Sequence, residues 1–170
     1  EHNENNATTI INPGAGISIE GETQVFEWLK SLGFRALLMR DRSSLFNDPF
    51  RNGTLLCHVI GRVENERMHS LYKDPKSIDE CRHNVYQAFQ VLVRKQTPIP
   101  SYLKGKEEAV LRGDRSVILA LLYSLMKINE NKLDLNTSIL TNNEKMFKQE
   151  ASMYTPPYDD NDMERVENSL

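Results

Sequence analysis

Apolar positions through the middle of the chain recur at helical spacing, and no useful stretch alternates at the two-residue period of a strand. The densest run follows Arg112-Gly113-Asp114-Arg115. Val117, Ile118, Leu121, Leu122, Leu125, Met126 and Ile128 cover almost every face of one helix. A helix apolar all round is surrounded by other helices, so this segment reads as a central core helix, capped at its start by the Asp114 carboxylate. Its apolar run is well short of the ~20 residues that cross a bilayer. Upstream, Val25, Trp28, Leu29 and Leu32, widened by Phe26, predict a first helix from Gly21 to Leu32, with Gly33 as the residue that ends it. Leu55, Leu56, Val59, Ile60 and Val63 predict a second from Thr54 to Val63. Cys81, Val85, Ala88, Phe89 and Leu92 predict a third. It opens at Ser77 or Ile78 through the capping box Ser77-Ile78-Asp79-Glu80, with the glutamate reaching back to the cap, and it ends before Thr97-Pro98-Ile99-Pro100.

Between these helices the pattern weakens. Residues 35–48 read as a short helical turn or loop. Asp48-Pro49 and Asn52-Gly53 are turn signals, with Phe46 and Phe50 plugging the core beneath them. Residues 64–77 form a polar connector anchored by Leu71 and Tyr72, and residues 102–111 include one short helix. After Ile128 the chain turns polar. A weak helix is predicted over Glu144–Met153, broken by Tyr154-Thr155-Pro156-Pro157. No internal repeat and no heptads stand out. The fold class is therefore all-α, with four main helices and short connecting helices. Residues 1–19 read as a flexible N-terminal segment, residues 20–129 as the domain, and residues 130–170 as a polar, acidic, partly helical extension.

The net charge of −3 hides an asymmetry. Residues 20–127 carry 17 basic and 13 acidic side chains, whereas residues 128–170 carry 4 basic and 9 acidic ones. A mildly basic domain between acidic ends fits an anionic partner, and equally a soluble domain with solvated ends. The basic side chains fall in two stretches. One holds Lys30, Arg35, Arg40, Arg42 and Arg51, opposed by Asp41 and Asp48. The other holds Arg94, Lys95, Lys104, Lys106, Arg112 and Arg115, opposed by Glu107, Glu108 and Asp114. Lys30, Arg35, Arg40, Arg42, Arg94, Lys95, Lys104 and Lys106 are the candidate partner-binding residues. The acidic extension is a candidate to cover them.

Other chemistry finds little support in the pattern. Cys57 and Cys81 sit in apolar-periodic segments and read as buried free thiols. His58, His69 and His83 could serve acid–base or metal chemistry, but Cys57-His58 and Cys81-Arg82-His83 do not converge on a metal by themselves, since helix neighbours point about 100° apart. There is no phosphate-binding glycine loop, no HExxH and no nucleophile elbow. No catalytic residue, cofactor or metal site is therefore assigned. Without interleaved aromatic and basic residues, nucleic acid is a poor fit, and no membrane segment is read. With no initiator Met and no signal-like apolar region, the chain reads as a piece of a larger intracellular protein. The three matches to the glycosylation acceptor pattern read as chance.

Four segments carry a resemblance to the calponin homology domain, spread over residues 20–129. Glu27-Trp28-Leu29 resembles that family's first-helix tryptophan motif. Phe50-Arg51-Asn52-Gly53-Thr54-Leu55-Leu56-Cys57 resembles its Phe-x-Asp-Gly-x-x-Leu-Cys signature. Arg82-His83-Asn84-Val85 resembles the Glu-Asn-Ile that opens its long third helix, and Leu111-Arg112-Gly113-Asp114 with the following apolar run resembles its last-helix pattern. Asn52 stands where the family usually has aspartate, and Tyr123 where it often has tryptophan. The resemblance implies a calponin-homology-like bundle acting as a non-catalytic cytoskeletal module. Because strong actin binding in the family usually needs two such domains in tandem, it implies tubulin first. Actin or a signalling scaffold comes second. The implied setting is the cytoplasm and cytoskeleton, including a cilium or centrosome.

Overall fold

The computed structural model describes residues 16–153. The segments 1–15 and 154–170 lie outside the described residues, and with them most of the flexible N-terminal segment and the end of the acidic extension. The described residues are helical and include no strand. The helices are α1 (Ile19–Ser31), α2 (Arg35–Leu38), α3 (Thr54–Val63), α4 (Ile78–Arg94), α5 (Glu107–Arg112) and α6 (Arg115–Met153), with a 3₁₀ turn at Ser101–Leu103 before α5. They fall into two units, residues 16–131 and residues 132–153.

In the first unit, Val25 and Leu29 of α1, six apolar residues of α3, the Cys81–Leu92 face of α4, and Leu121, Leu122, Leu125 and Met126 of α6 form one core. The densely apolar start of α6 is buried in it. Yet the backbones that come closest are those of α3 and α4, then α4 and α5. The reason is side-chain size. Gly53, Cys57 and Ala88 let α3 and α4 approach, whereas the leucines of α6 hold its axis farther off. Trp28, expected as a core anchor, is half-buried against this cluster, and its buried indole N–H has no hydrogen-bond partner among the described residues.

Local signals account for most element ends. Ser18 caps α1 by accepting from the Gly21 N–H, and Gly33 follows α1 at φ +90°. Ser77 caps α4 by accepting from the Glu80 N–H at 3.2 Å. The Glu80 carboxylate reaches one residue past the cap, to the Lys76 N–H. Asp114 accepts from the Val117 N–H at 3.2 Å and so caps α6. The large departure from the pattern is the length of α6, which runs through residues 129–143 without a break. No Gly or Pro occurs between Asp114 and Pro156, so nothing there stops a helix. The hydroxyls of Thr137, Ser138 and Thr141 donate to carbonyls four residues back, a bond compatible with helix.

The turn before α3 is held by a buried polar junction. Gly53 sits at φ +81°, and a Cβ there would meet the Asn84 Cβ at 2.6 Å and the Val85 backbone nitrogen at 2.7 Å. The Asn84 amide donates to the Asn52 carbonyl at 3.1 Å and to the Tyr72 carbonyl at 2.9 Å, and its oxygen accepts the Tyr72 N–H at 2.9 Å. The Asn52 side chain is also fully buried. Its oxygen accepts the Thr54 N–H and hydroxyl, supplying the first turn of α3, and its amide donates to the Phe46 carbonyl at 2.8 Å. That last bond needs a donor, so asparagine does here what aspartate cannot.

Two stability outcomes follow. Asn52→Asp should lower the unfolding free energy by about 1–3 kcal/mol, because a buried carboxylate would then face the Phe46 carbonyl with no donor between them; urea denaturation measures it. Gly33→Ala, whose Cβ meets nothing within 4 Å, should cost only the left-handed strain, about 1 kcal/mol. Gly53→Ala adds a backbone clash and should cost about 3 kcal/mol. Equal losses at the two glycines would refute the close packing of α3 on α4.

Candidate partner-binding groove

The chain leaves α3 through Glu64 and Asn65, the latter at φ +49°, and the Glu66 N–H returns to the Gly61 carbonyl at 2.9 Å. Gly61 makes this possible, since a Cβ there would stand 2.9 Å from the Glu66 carbonyl oxygen. The connector is thereby laid back along α3. Its far end is tied down by the Tyr72 bonds to Asn84 and by the His83 ring, which pairs with the Ser70 carbonyl at 3.0 Å and meets the Tyr72 ring edge-on. Tyr72 thus anchors the connector through its backbone as much as its ring, which is partly exposed.

Between α3 and the connector lies a groove of about 490 Å³. Phe34, Met68 and Leu71 give it an apolar floor, and Arg62, Glu66, His69 and Lys73 stand along it. Glu66 is its one lining carboxylate among the described residues. It is held by two cations, Arg94 at 2.6 Å and Lys95 at 3.0 Å. The hydrogen bond from Lys95, followed by the charges around it, keeps the Glu66 carboxyl below the usual range. Arg62 donates to the Leu32 carbonyl at 3.2 Å. The Arg40 charge reaches both His58 and Asp74.

Burial shifts two of the groove's titratable groups, Cys57 and His58. Burial pushes the Cys57 thiol up to about 12, so it stays protonated and lies against the Asn84 carbonyl oxygen at 3.1 Å. Burial also raises Cys81, and both thiols are free. His58, stacked at a tilt against Phe34, is held below its ordinary pKa by burial and then by Lys73 and Arg40. Among the described residues, no three His, Cys, Asp or Glu side chains are grouped to hold a metal ion. Nor is any helix among them long and apolar enough to cross a membrane.

The eight basic candidates do not form one face. Arg94 and Lys95 adjoin the groove through their ion pairs with its Glu66, and the Arg40 charge reaches its His58. Arg42 lies over the Phe50 ring at 4.2 Å, in a smaller pocket with Asp48, Arg51, Gly113 and Arg115. There the two basic stretches meet, for Arg51 packs on Gly113 and donates to the Leu111 carbonyl at 3.1 Å. Lys104 lines a third depression, with Phe89, Leu92 and Pro98, and Lys106 is exposed nearby in sequence, just before α5. Lys30 is paired with Glu27 at 2.6 Å, and Arg35 is exposed on α2. Arg62, on α3, and Lys73 were not partner-binding candidates from sequence, and His69 was considered only for acid–base or metal chemistry; the connector that carries His69 and Lys73 has no periodicity to orient them. No protein-family model, curated protein or solved structure matches the chain.

A pH dependence follows from His58. Its pKa in the folded protein lies below the unfolded value of 6.5, so the unfolded chain takes up this proton first as pH falls. The associated stability is complete above about pH 6.5 and is lost as pH drops through the folded pKa. The urea midpoint should therefore fall between about pH 7.5 and about pH 5.5, and fall less in His58→Gln. An identical fall in the variant would remove His58 as the cause.

Proposed function

We propose that residues 20–129 form a divergent calponin homology domain that serves as a non-catalytic cytoskeletal binding module and docks an acidic filament surface, tubulin, along the groove between α3 and the connector. The observation that carries this reading is the charge around the groove. Arg40, Arg62 and Lys73 stand at or beside it, and its lining carboxylate is already claimed by Arg94 and Lys95. Such a surface attracts an acidic partner over distances comparable to the Debye length and loses that attraction as salt rises. The apolar floor of Phe34, Met68 and Leu71 supplies contact area that a purely charged face lacks.

The resemblance to the family is supported by where its segments lie. Asn52-Gly53 meets Asn84 at the buried junction, and Arg51 meets Leu111 and Gly113. Three of the four resembling segments are thus bonded to one another, as parts of one structural signature would be. The cell compartment that goes with this reading is the cytoplasm and its cytoskeleton, at a cilium or centrosome, within a larger chain.

Co-sedimentation with microtubules and with actin filaments, at ~50 mM and ~200 mM salt, tests it. Pelleting with microtubules should be salt-sensitive. The double reversal Arg40→Glu/Lys73→Glu should weaken it about thirtyfold, because two reversed contacts at roughly 1 kcal/mol each sum to about 2 kcal/mol. Lys104→Glu/Lys106→Glu, away from the groove, should change it little. Pelleting with actin alone would replace tubulin by actin as the partner, and pelleting with neither would leave a scaffold role.

A further inference from the structure

Residues 132–153 of α6 form a unit by themselves, and their large apolar side chains are 56–76% exposed. The segment is rich in weak helix formers, among them Asn136, Thr137, Ser138, Thr141, Asn142 and Asn143. A solitary helix of such residues is marginal in water, so its stability has to come from packing.

Six of the seven exposed large apolar residues fall in two rows, and Leu135 stands outside them. Ile139, Met146 and Met153 recur every seven residues along one row, and Leu133, Leu140 and Phe147 recur every seven along the adjacent row. Asn136, Asn143 and Glu150 run between the two rows. The pattern escapes a search for heptads because one of the two seam positions is polar throughout. It is also symmetric about Asn143. Leu133 mirrors Met153, Ile139 mirrors Phe147, Leu140 mirrors Met146, and Asn136 mirrors Glu150.

We infer that this face pairs antiparallel with the same face of a second copy of the chain, about a two-fold axis at Asn143. A two-fold interface places each residue against its mirror position, and here that sets apolar on apolar at all six positions of the two rows. It sets the Asn136 amide beside the Glu150 carboxylate of the other copy, a donor against an acceptor, and Asn143 against itself, where two amides can bond to each other. A parallel pair in register would instead oppose Glu150 to Glu150. No mirror pair between residues 133 and 153 combines two charges of one sign. The six side chains offer on the order of 600 Å² per chain, near the ~800 Å² per partner of a standard stable interface.

The test is sedimentation equilibrium of the full chain, with disulfide trapping. The wild-type chain should be dimeric at micromolar concentrations. Leu140→Glu/Phe147→Glu should be monomeric while keeping the cooperative unfolding of the first unit. Asn143→Cys should oxidise to a covalent dimer, and Asn136→Cys should not, because in the antiparallel pair its copies lie about 20 Å apart. A monomer at ~100 μM, a concentration where a standard interface is populated, would overturn the proposal. So would a dimer that survives the double variant, or one trapped as readily by Asn136→Cys as by Asn143→Cys. These residues lie outside the groove, so the outcome is independent of filament binding by the first unit.

Discussion

The fully buried Asn84 side chain is the constraint on which the first unit depends. Three hydrogen bonds leave one amide, joining α4 to the turn before α3 and to the connector after it. A buried amide of this kind is costly when unpaired and specific when paired, because few backbone arrangements satisfy all of its groups at once. Gly53 is part of the same constraint. Its missing Cβ lets the start of α3 rest on the backbone of α4, and its left-handed conformation lets the chain turn into the helix. Asn52 completes the junction by serving α3 with its oxygen and the preceding loop with its amide.

The groove is a consequence of this packing. Once Tyr72 is held by Asn84 and Glu66 is returned to Gly61, the connector has to run beside α3. The side chains that flank it there are basic and polar over an apolar floor. Glu66 orders the rim by drawing Arg94 and Lys95 from the end of α4 toward the connector. The same closeness of α3 and α4 buries Cys57, which explains why a cysteine beside a histidine is here a packing residue whose thiol keeps its proton.

The long C-terminal helix obeys a different logic. Its first part is stabilised by burial in the core. Residues 132–153 keep the helical conformation with their apolar rows open to solvent. Helix formation and helix stability are separate matters: the absence of Gly and Pro permits the conformation, and only a packed face makes it durable. The mirror symmetry of those rows about Asn143 is what makes a second copy the natural cover.

What the sequence determined by itself is local. The all-helical class, the span of α3, the caps at Ser77 and Asp114 and the stop at Gly33 were all legible, because each depends on residues within a turn of one another. The continuation of α6 was not, since weak helix formers without a breaker leave a helix neither required nor forbidden. Among the basic residues, identity was legible and grouping was not. Arg42 is adjacent to Asp41 in sequence, yet it stacks on Phe50 beside Arg51 and Arg115, while the charges of Arg40 and Lys73 both reach His58. Only the tertiary structure brought Arg62, His69 and Lys73 to one groove, with Arg94 and Lys95 paired to its Glu66. Those positions are set by long-range bonds of Asn84 and Glu66, and the strength of such bonds depends on burial that no local pattern records.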